Sequence, residues 1–316
     1  MAKDDADYPE ARRTRTVQPP AVLHKYTSAE TARLILSTGR IRFQSPLRYN
    51  DPFDSQWDPT WTLQTQEALD FNRQLLKRAI EDPASWPEET DPETRSALFE
   101  EYQRIDSLPP ADRATAIHEF VKDVSDFREE DQKWLARMLD FRRRLRVLCL
   151  SANPEMATMW SHYADQHRGV LLTFDTKRLE DGLKRLLKDV KYKDSPPKML
   201  DMEEWYKAVT FGLPQPDLFG DTSVWTRTKS TEWSYEDEWR LTTLAAKGSL
   251  GDYEDFDIPR NALVGVTFGC RTDMEAAKEL VALALPFGEQ VAFFRLYMPV
   301  GSFRLARQDF SLSDPN

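Results

Sequence analysis

Three short and almost wholly apolar runs constrain this chain most: RVLCLSA (146–152), GVLLTFD (169–175) and ALVGVTFG (262–269). Runs of this length bounded by polar or glycine-containing turns read as strands, and the first reads as buried on both faces. AVLHKY (21–26) also reads as a strand, and so does IRFQS (41–45), with Ile41 and Phe43 inward. DVKYKD (189–194), residues 238–245, VAFFRLYMPV and SFRLARQD complete the set. Helical patterns stand between them. In TSAETARLIL, Thr27 or Ser28 is the cap, Glu30 sits where a capping box wants a carboxylate, and Gly39 is the stop. TKRLEDGLKRLLKD places Leu179, Leu183, Leu186 and Leu187 on one side, residues 201–212 read as helical, and TDMEAAKELVALAL takes Thr272 as its cap. Strands and helices are intermingled without strict alternation. That order predicts an α+β fold with a mixed, mostly antiparallel sheet rather than a doubly wound one.

Residues 63–145 differ in character. Helical patterns over 63–82 and 93–105 flank the proline-broken DPASWPEETDP, LPPADRATAIHEFVKDVSDF begins another, residues 128–145 continue it or form the next, and the arginines of FRRRLR (141–146) suit a helix C-terminus. This block is expected to be an all-helical insertion, serving as a lid or an interaction module, in a single α+β domain over 21–316. Residues 1–20 are charged, end in Pro-Pro and read as a flexible leader. They hold no apolar signal-peptide core, and no stretch approaches the roughly 18 apolar residues of a membrane span, so a cytoplasmic protein without membrane contact is expected. Lys plus Arg is 43 against 53 for Asp plus Glu, a net of −10 that argues against bulk binding to a phosphate backbone. Cys149 and Cys270 form no CxxC pair and read as buried free thiols.

Three clusters can carry chemistry. In LHKYTSAETARLILSTGRIRFQSPLRYNDPFD (23–54), strand alternation puts His24 and Tyr26 on one face. His24 either projects into a cleft or is a satisfied core histidine. Asn50, Asp51 and Asp54 either line a site or build a tight Asx turn. In MWSHYADQHRGVLLTFD (159–175), Trp160, Tyr163 and His167 are spaced for one helical face, while His162 points elsewhere. His162 and His167 are poorly spaced to share a metal; the group reads as an aromatic wall with a histidine donor, or as a helix packed on the sheet. In STEWSYEDEWRL (230–241), strand alternation puts Glu236, Glu238 and Arg240 together, opposite Trp239 and Leu241. Two glutamates about 7 Å apart raise each other's pKa unless a cation such as Arg240 or Arg227 intervenes. This face is either a carboxylate pair over a cleft or a solvated surface. No Walker A loop, GxGxxG, GxSxG, HExxH or paired CxxC is present, which disfavours the enzymes those motifs mark.

The order of Lys25-Tyr26, SPLRYNDPFD, MWSHYADQHRGVLLTFD, VKY (190–192), KSTEWSYEDEWRL and VGVTFG resembles the bacterial domain of unknown function 2971 family over residues 22–270, with the helical block as a variable insert. More distantly, H-x-Y-T-S before a helix, then G-R-I-R and N-D-P, is similar to ADP-ribosyltransferase-like families. That resemblance implies an ADP-ribosyltransferase-like core acting on NAD, in a toxin or phage-defence setting. It implies His24 at the adenosine-side ribose and Tyr163 on the nicotinamide, with His162 or His167 as alternatives. Glu238 is implied at the nicotinamide ribose, with Glu236 as partner carboxylate. Tyr26, Trp160 and Arg240 are implied to help bind the cofactor, and Arg168 or Arg227 to hold the pyrophosphate; no metal is required. Its partner is a macromolecular acceptor, protein or nucleic acid. Two rival readings stand beside it: a non-enzymatic protein whose helical block binds a cognate regulator, and a Mg²⁺-dependent nuclease or hydrolase using Asp51, Asp54, Glu236 and Glu238.

Overall fold

A computed structural model describes residues 18–56, 66–125, 129–197, 201–214, 223–249 and 251–311. Most of the expected leader lies outside them, as do residues 63–65 and 126–128 of the helical block and most of the loop expected over 214–221. In chain order the described residues form β1 (Val22–Thr27), α1 (Ala29–Thr38), β2 (Arg40–Gln44), α2 (Gln66–Glu81), α3 (Pro92–Asp106), α4 (Pro110–Ser125), α5 (Glu129–Arg144) and β3 (Leu145–Ser151). Next come α6 (Ala157–Tyr163), β4 (Val170–Asp175), α7 (Asp181–Leu186), β5 (Leu187–Asp189), β6 (Lys191–Lys193), α8 (Met202–Phe211) and α9 (Ser223–Arg227). The last are β7 (Thr228–Ser230), β8 (Glu238–Leu244), β9 (Tyr253–Asp257), β10 (Leu263–Phe268), α10 (Met274–Ala284), β11 (Ala292–Tyr297) and β12 (Ala306–Asp309). The fold is α+β and its strand pairing is mixed and mostly antiparallel, as the sequence predicts. Among the described residues no helix is long and apolar enough to cross a membrane.

The chain packs as two units, each discontinuous in sequence: Met1–Gly39, Leu150–Asp189 and Ile258–Asn316 make the first, Arg40–Cys149 and Val190–Asp257 the second. In the first unit the strand order is β12-β11-β10-β4-β1. β10 and β11 run parallel, and β1 meets β4 antiparallel with Leu23 opposite Phe174 and His24 opposite Thr173. Leu23, Leu172, Val266 and Phe268 are wholly buried in it. α1 and α10 pack together, burying Ile35, Leu36, Leu280 and Val281. Ser28 caps α1 by accepting from the Thr31 amide, which puts Glu30 one residue short of the capping-box position. The cap of α10 is Asp273, not Thr272, whose hydroxyl turns inward and donates to the Gly169 carbonyl at 2.8 Å. α7 is shorter than its leucine spacing predicts. Leu186 stays 40% exposed, and Leu187 leaves the helix to open β5 buried, so tertiary burial overrides the amphipathic pattern.

In the second unit β3, β2 and β9 lie in that order, with β8 also paired to β3. β2 buries Ile41 and Phe43 and points Arg40 and Arg42 outward, where they pair with Asp257 and Asp255 of β9 at 3.3 and 2.9 Å. The helical block shares its core with later chain: Ala68 and Met138 pack with Trp205 and Tyr206 of α8 and Trp225 of α9. The block also has a core of its own, where Ile80, Ile105 and Ala116 meet, and Leu98 of α3 joins Phe211 of α8 in a further cluster.

Candidate functional site

The site is built from two stretches of the second unit, residues 49–56 and 228–240. In the first, Asp51 Oδ1 accepts from the Phe53 amide at 2.9 Å, the Asx turn that Asn-Asp-Pro favours. The turn leads to buried Asp54 and to Ser55, held in the left-handed region at φ 56°. In the second, a 3₁₀ turn over Thr231–Glu236 ends at Asp237, left-handed at φ 43°, before β8 begins. Glu236 and Glu238 are thus not successive members of one strand face. The reversal at Asp237 brings both carboxylates to one amine, that of Lys229. Nor is this a solvated face, because Glu236 is 3% and Glu238 5% exposed.

Arg240 and Lys229 tie the acids together. The Arg240 guanidinium donates to both oxygens of Asp54, at 2.8 and 2.5 Å, and to both oxygens of Glu238, at 2.8 and 2.9 Å. It also donates to the Thr226 carbonyl at 2.8 Å. Lys229 Nζ lies 2.5 Å from Glu236, 3.4 Å from Glu238 and 3.5 Å from Asp54. The same ammonium sits 4.8 Å from the centroid of the Trp233 ring. Tyr192 accepts from the Glu238 amide at 2.9 Å, and the Tyr49 hydroxyl meets Cys149 Sγ at 3.2 Å. Cys149 also hydrogen-bonds the Glu238 carboxylate, and both cysteines are free and half-buried rather than fully enclosed.

Burial by itself raises the Glu238 pKa, but the charges of Arg240 and Lys229 outweigh it and hold the carboxyl down at about 2. Burial by itself lowers the Lys229 pKa, and the charges of Glu238, Asp54 and Glu236 overcome it and raise it. Tyr49 and Tyr192 are pushed up by burial and stay protonated. The carboxylates that a metal site would need are held by a lysine and an arginine. Among the described residues no three His, Cys, Asp or Glu are arranged to take a metal ion.

Above this network lies a cavity of about 500 Å³. Lys229 and Thr228 line it, with Phe53, Lys193, Glu232 and Trp233 around them. Asp51 and Asp194 complete its charged lining.

The remaining candidates lie in the first unit. His24 is buried on β1, and its Nδ1 is hydrogen-bonded to Thr173 Oγ1 at 3.0 Å. Burial, then Arg307, lowers its pKa to about 4. Between pH 6.5 and 4 the unfolded chain binds the proton that the folded chain refuses. His24 therefore stabilises above pH 6.5, and about 3 kcal/mol is lost as pH falls to about 4. Urea denaturation over that range, compared with His24→Gln, is expected to show that slope removed in the variant. The Tyr26 hydroxyl donates to the Asn153 carbonyl at 2.6 Å, and its ring meets the Trp160 ring edge-on at 5.3 Å. Trp160 is fully buried, and its indole donates to the Pro154 carbonyl at 3.0 Å.

The single helical face expected for Trp160, Tyr163 and His167 is not formed. α6 stops at Tyr163, and Asp165, Gln166 and His167 follow in the left-handed region at φ 44°, 53° and 70°. The loop is pinned at both ends: the His167 amide donates to the Trp160 carbonyl and the His167 carbonyl accepts from Arg271. His167 Nε2 is hydrogen-bonded to Ser161 at 3.1 Å, and burial, then Arg271, lowers its pKa. His162 and Arg168 are exposed, Arg168 donating to Gln166 at 3.2 Å.

Glu236, Glu238 and Arg240 are thus brought together. His24, Tyr26, Trp160, His162, Tyr163, His167 and Arg168 belong to the other unit. Lys229, Tyr49, Cys149, Tyr192 and Trp233 are members of the site that the sequence reading did not single out. The lysine had one signal, its place immediately before the glutamate-rich motif.

These features define the class: an α+β protein with a buried acid–base network under a small cavity. Residues 159–241 match the model of a family described as proteins of unknown function, DUF2971. That match bears out the recognition of this family and runs from the WSHYADQHRG motif to the end of WSYEDEWRL. No curated protein and no solved structure matches the chain.

Proposed function

We propose that the cavity of the second unit binds NAD and that the protein transfers the ADP-ribosyl group to a macromolecular acceptor, on an ADP-ribosyltransferase-like core. The observation that carries this reading is a cavity of about 500 Å³ lined by both aromatic and ionised side chains, within the roughly 300–1,000 Å³ of small-molecule sites. Trp233 and Phe53 offer ring surfaces for a planar base, and exposed Lys193 offers a donor for a phosphate. In the reaction the N-glycosidic bond of NAD breaks and nicotinamide leaves with the electron pair. An acceptor nucleophile then forms the new bond to the ribose carbon and loses its proton. The intermediate charge is oxocarbenium-like, and a carboxylate close to it lowers the barrier.

The distribution of roles follows from the hydrogen bonds. Both oxygens of Glu238 are committed to Arg240, and Glu236 holds Lys229, so in this reading they position the cavity floor. Glu232 is the glutamate that lines the cavity and meets the ribose. Tyr26 and Trp160 serve packing in the first unit.

The test is incubation with NAD labelled in its adenylate portion, with and without cell lysate. The wild type is expected to transfer label or release nicotinamide. Phe53→Ala, at a residue 71% exposed and so safe for folding, is expected to lower kcat/KM about tenfold through lost stacking. No transfer and no nicotinamide release by folded wild type rejects the proposal.

A further inference from the structure

We infer that the cavity of the second unit selects a planar organic cation, a pyridinium or guanidinium end group, over its neutral isostere. This rests on the reading of that cavity as the ligand site. Its lining carries Asp51, Asp194 and Glu232 against Lys193 and Lys229. Directly beneath, Asp54, Glu236 and Glu238 face Arg240 and the same Lys229. Six acids therefore stand against three bases. The excess of acid continues at depth, where the buried layer has three acids and two bases and little water to screen them. Lys193 is the lining cation outside that layer, and it is exposed at the rim, where solvent weakens its field.

Lys229 does not reverse this sign. Its charge is surrounded by three carboxylates within 3.5 Å, more negative charge than it can neutralise. The aromatic wall has the same preference. The face of an indole is electron-rich, and Trp233 already holds the Lys229 ammonium at 4.8 Å from its centroid. Phe53, exposed at the rim, adds a second ring. A flat cation satisfies both features at once, by stacking and by charge; a neutral ring satisfies the first alone.

Two sources carry this chemistry, the nicotinamide end of a dinucleotide and the arginine side chain of a protein. Calorimetric titration of the full chain with N-methylnicotinamide cation, N-acetyl-arginine amide and neutral nicotinamide separates them. At least one cation is expected to bind about tenfold more tightly than nicotinamide. The tighter of the two identifies the source. Glu232→Gln, at an exposed position, is expected to reduce the preference severalfold, with unchanged circular dichroism as the check on folding. Nicotinamide binding as well as both cations, or an unchanged preference in Glu232→Gln, overturns the inference. Cation binding by a chain that leaves NAD intact supports this inference and removes the proposed reaction. NAD turnover without any cation preference does the reverse.

Discussion

Arg240→Met is expected to cost about 3–5 kcal/mol of stability, because removing one partner leaves uncompensated charge in the interior. In a chain of this size that is a fall in Tm of about 10 °C, measured by circular dichroism or differential scanning fluorimetry. The guanidinium is fully buried and binds two carboxylates in two-pronged fashion, so its loss strands Asp54 and Glu238 together. Lysine at this position makes one contact where arginine makes several, so Arg240→Lys recovers only part of the loss. Arg33→Met is the control. Its pair with Glu279 is also two-pronged, at 2.7 Å, but the two side chains are 41% and 46% exposed, and such solvent-screened pairs contribute little to stability. Similar bonds with opposite burial are thus expected to give different losses. The network also sets the response to acid. The Glu238 carboxyl is held below its unfolded pKa of 4.5, at about 2, so its contribution is present above pH 4.5 and lost as pH falls toward 2.

Gly169→Ala and Gly269→Ala are expected to be nearly as damaging, at about 3 kcal/mol each. A Cβ on Gly169 lies 2.2 Å from the Thr27 carbonyl oxygen, and one on Gly269 lies 2.1 Å from that of His167. Neither neighbour is a side chain that can swing aside. Both belong to a backbone lattice in which Gly169 donates to Ala164 and Gly269 donates to Gly169. Three consecutive left-handed residues already strain the loop, which leaves it little freedom to relax. Gly182→Ala, in α7 with open space around it, is expected to be neutral or to stabilise by about 0.5–1 kcal/mol. Chemical denaturation of the three variants separates a packing requirement from a general intolerance of side chains. Much of the MWSHYADQHRG motif is explained by this lattice: Trp160 fills the core against Tyr26, and His167 contributes its backbone as much as its ring.

The apolar runs were legible as strands because burial on both faces leaves few polar positions to confuse the pattern. β9 was not legible. Its sequence, YEDFD, is mostly acidic, and Asp255 and Asp257 are explained by Arg42 and Arg40 on the neighbouring strand. Local pattern cannot report a partner some 215 residues away in sequence. The proximity of Glu236 and Glu238 was legible, but strand alternation supplied the wrong reason; the left-handed Asp237 and the lysine between the carboxylates supply the right one. Asp54 stayed open between a site residue and a turn residue because nothing near it in sequence announces Arg240. The cavity was not legible at all, since its walls come from residues 50–53, 193–196 and 228–233, which only the tertiary fold assembles.

The central claim is that this cavity is where a nucleotide lodges. A crystal structure grown with an NAD analogue whose glycosidic linkage is carbon-based, and so cannot break, tests it most directly. The analogue's cationic ring is expected against Trp233 and Phe53, above Lys229. An analogue bound at another surface with this cavity empty contradicts it.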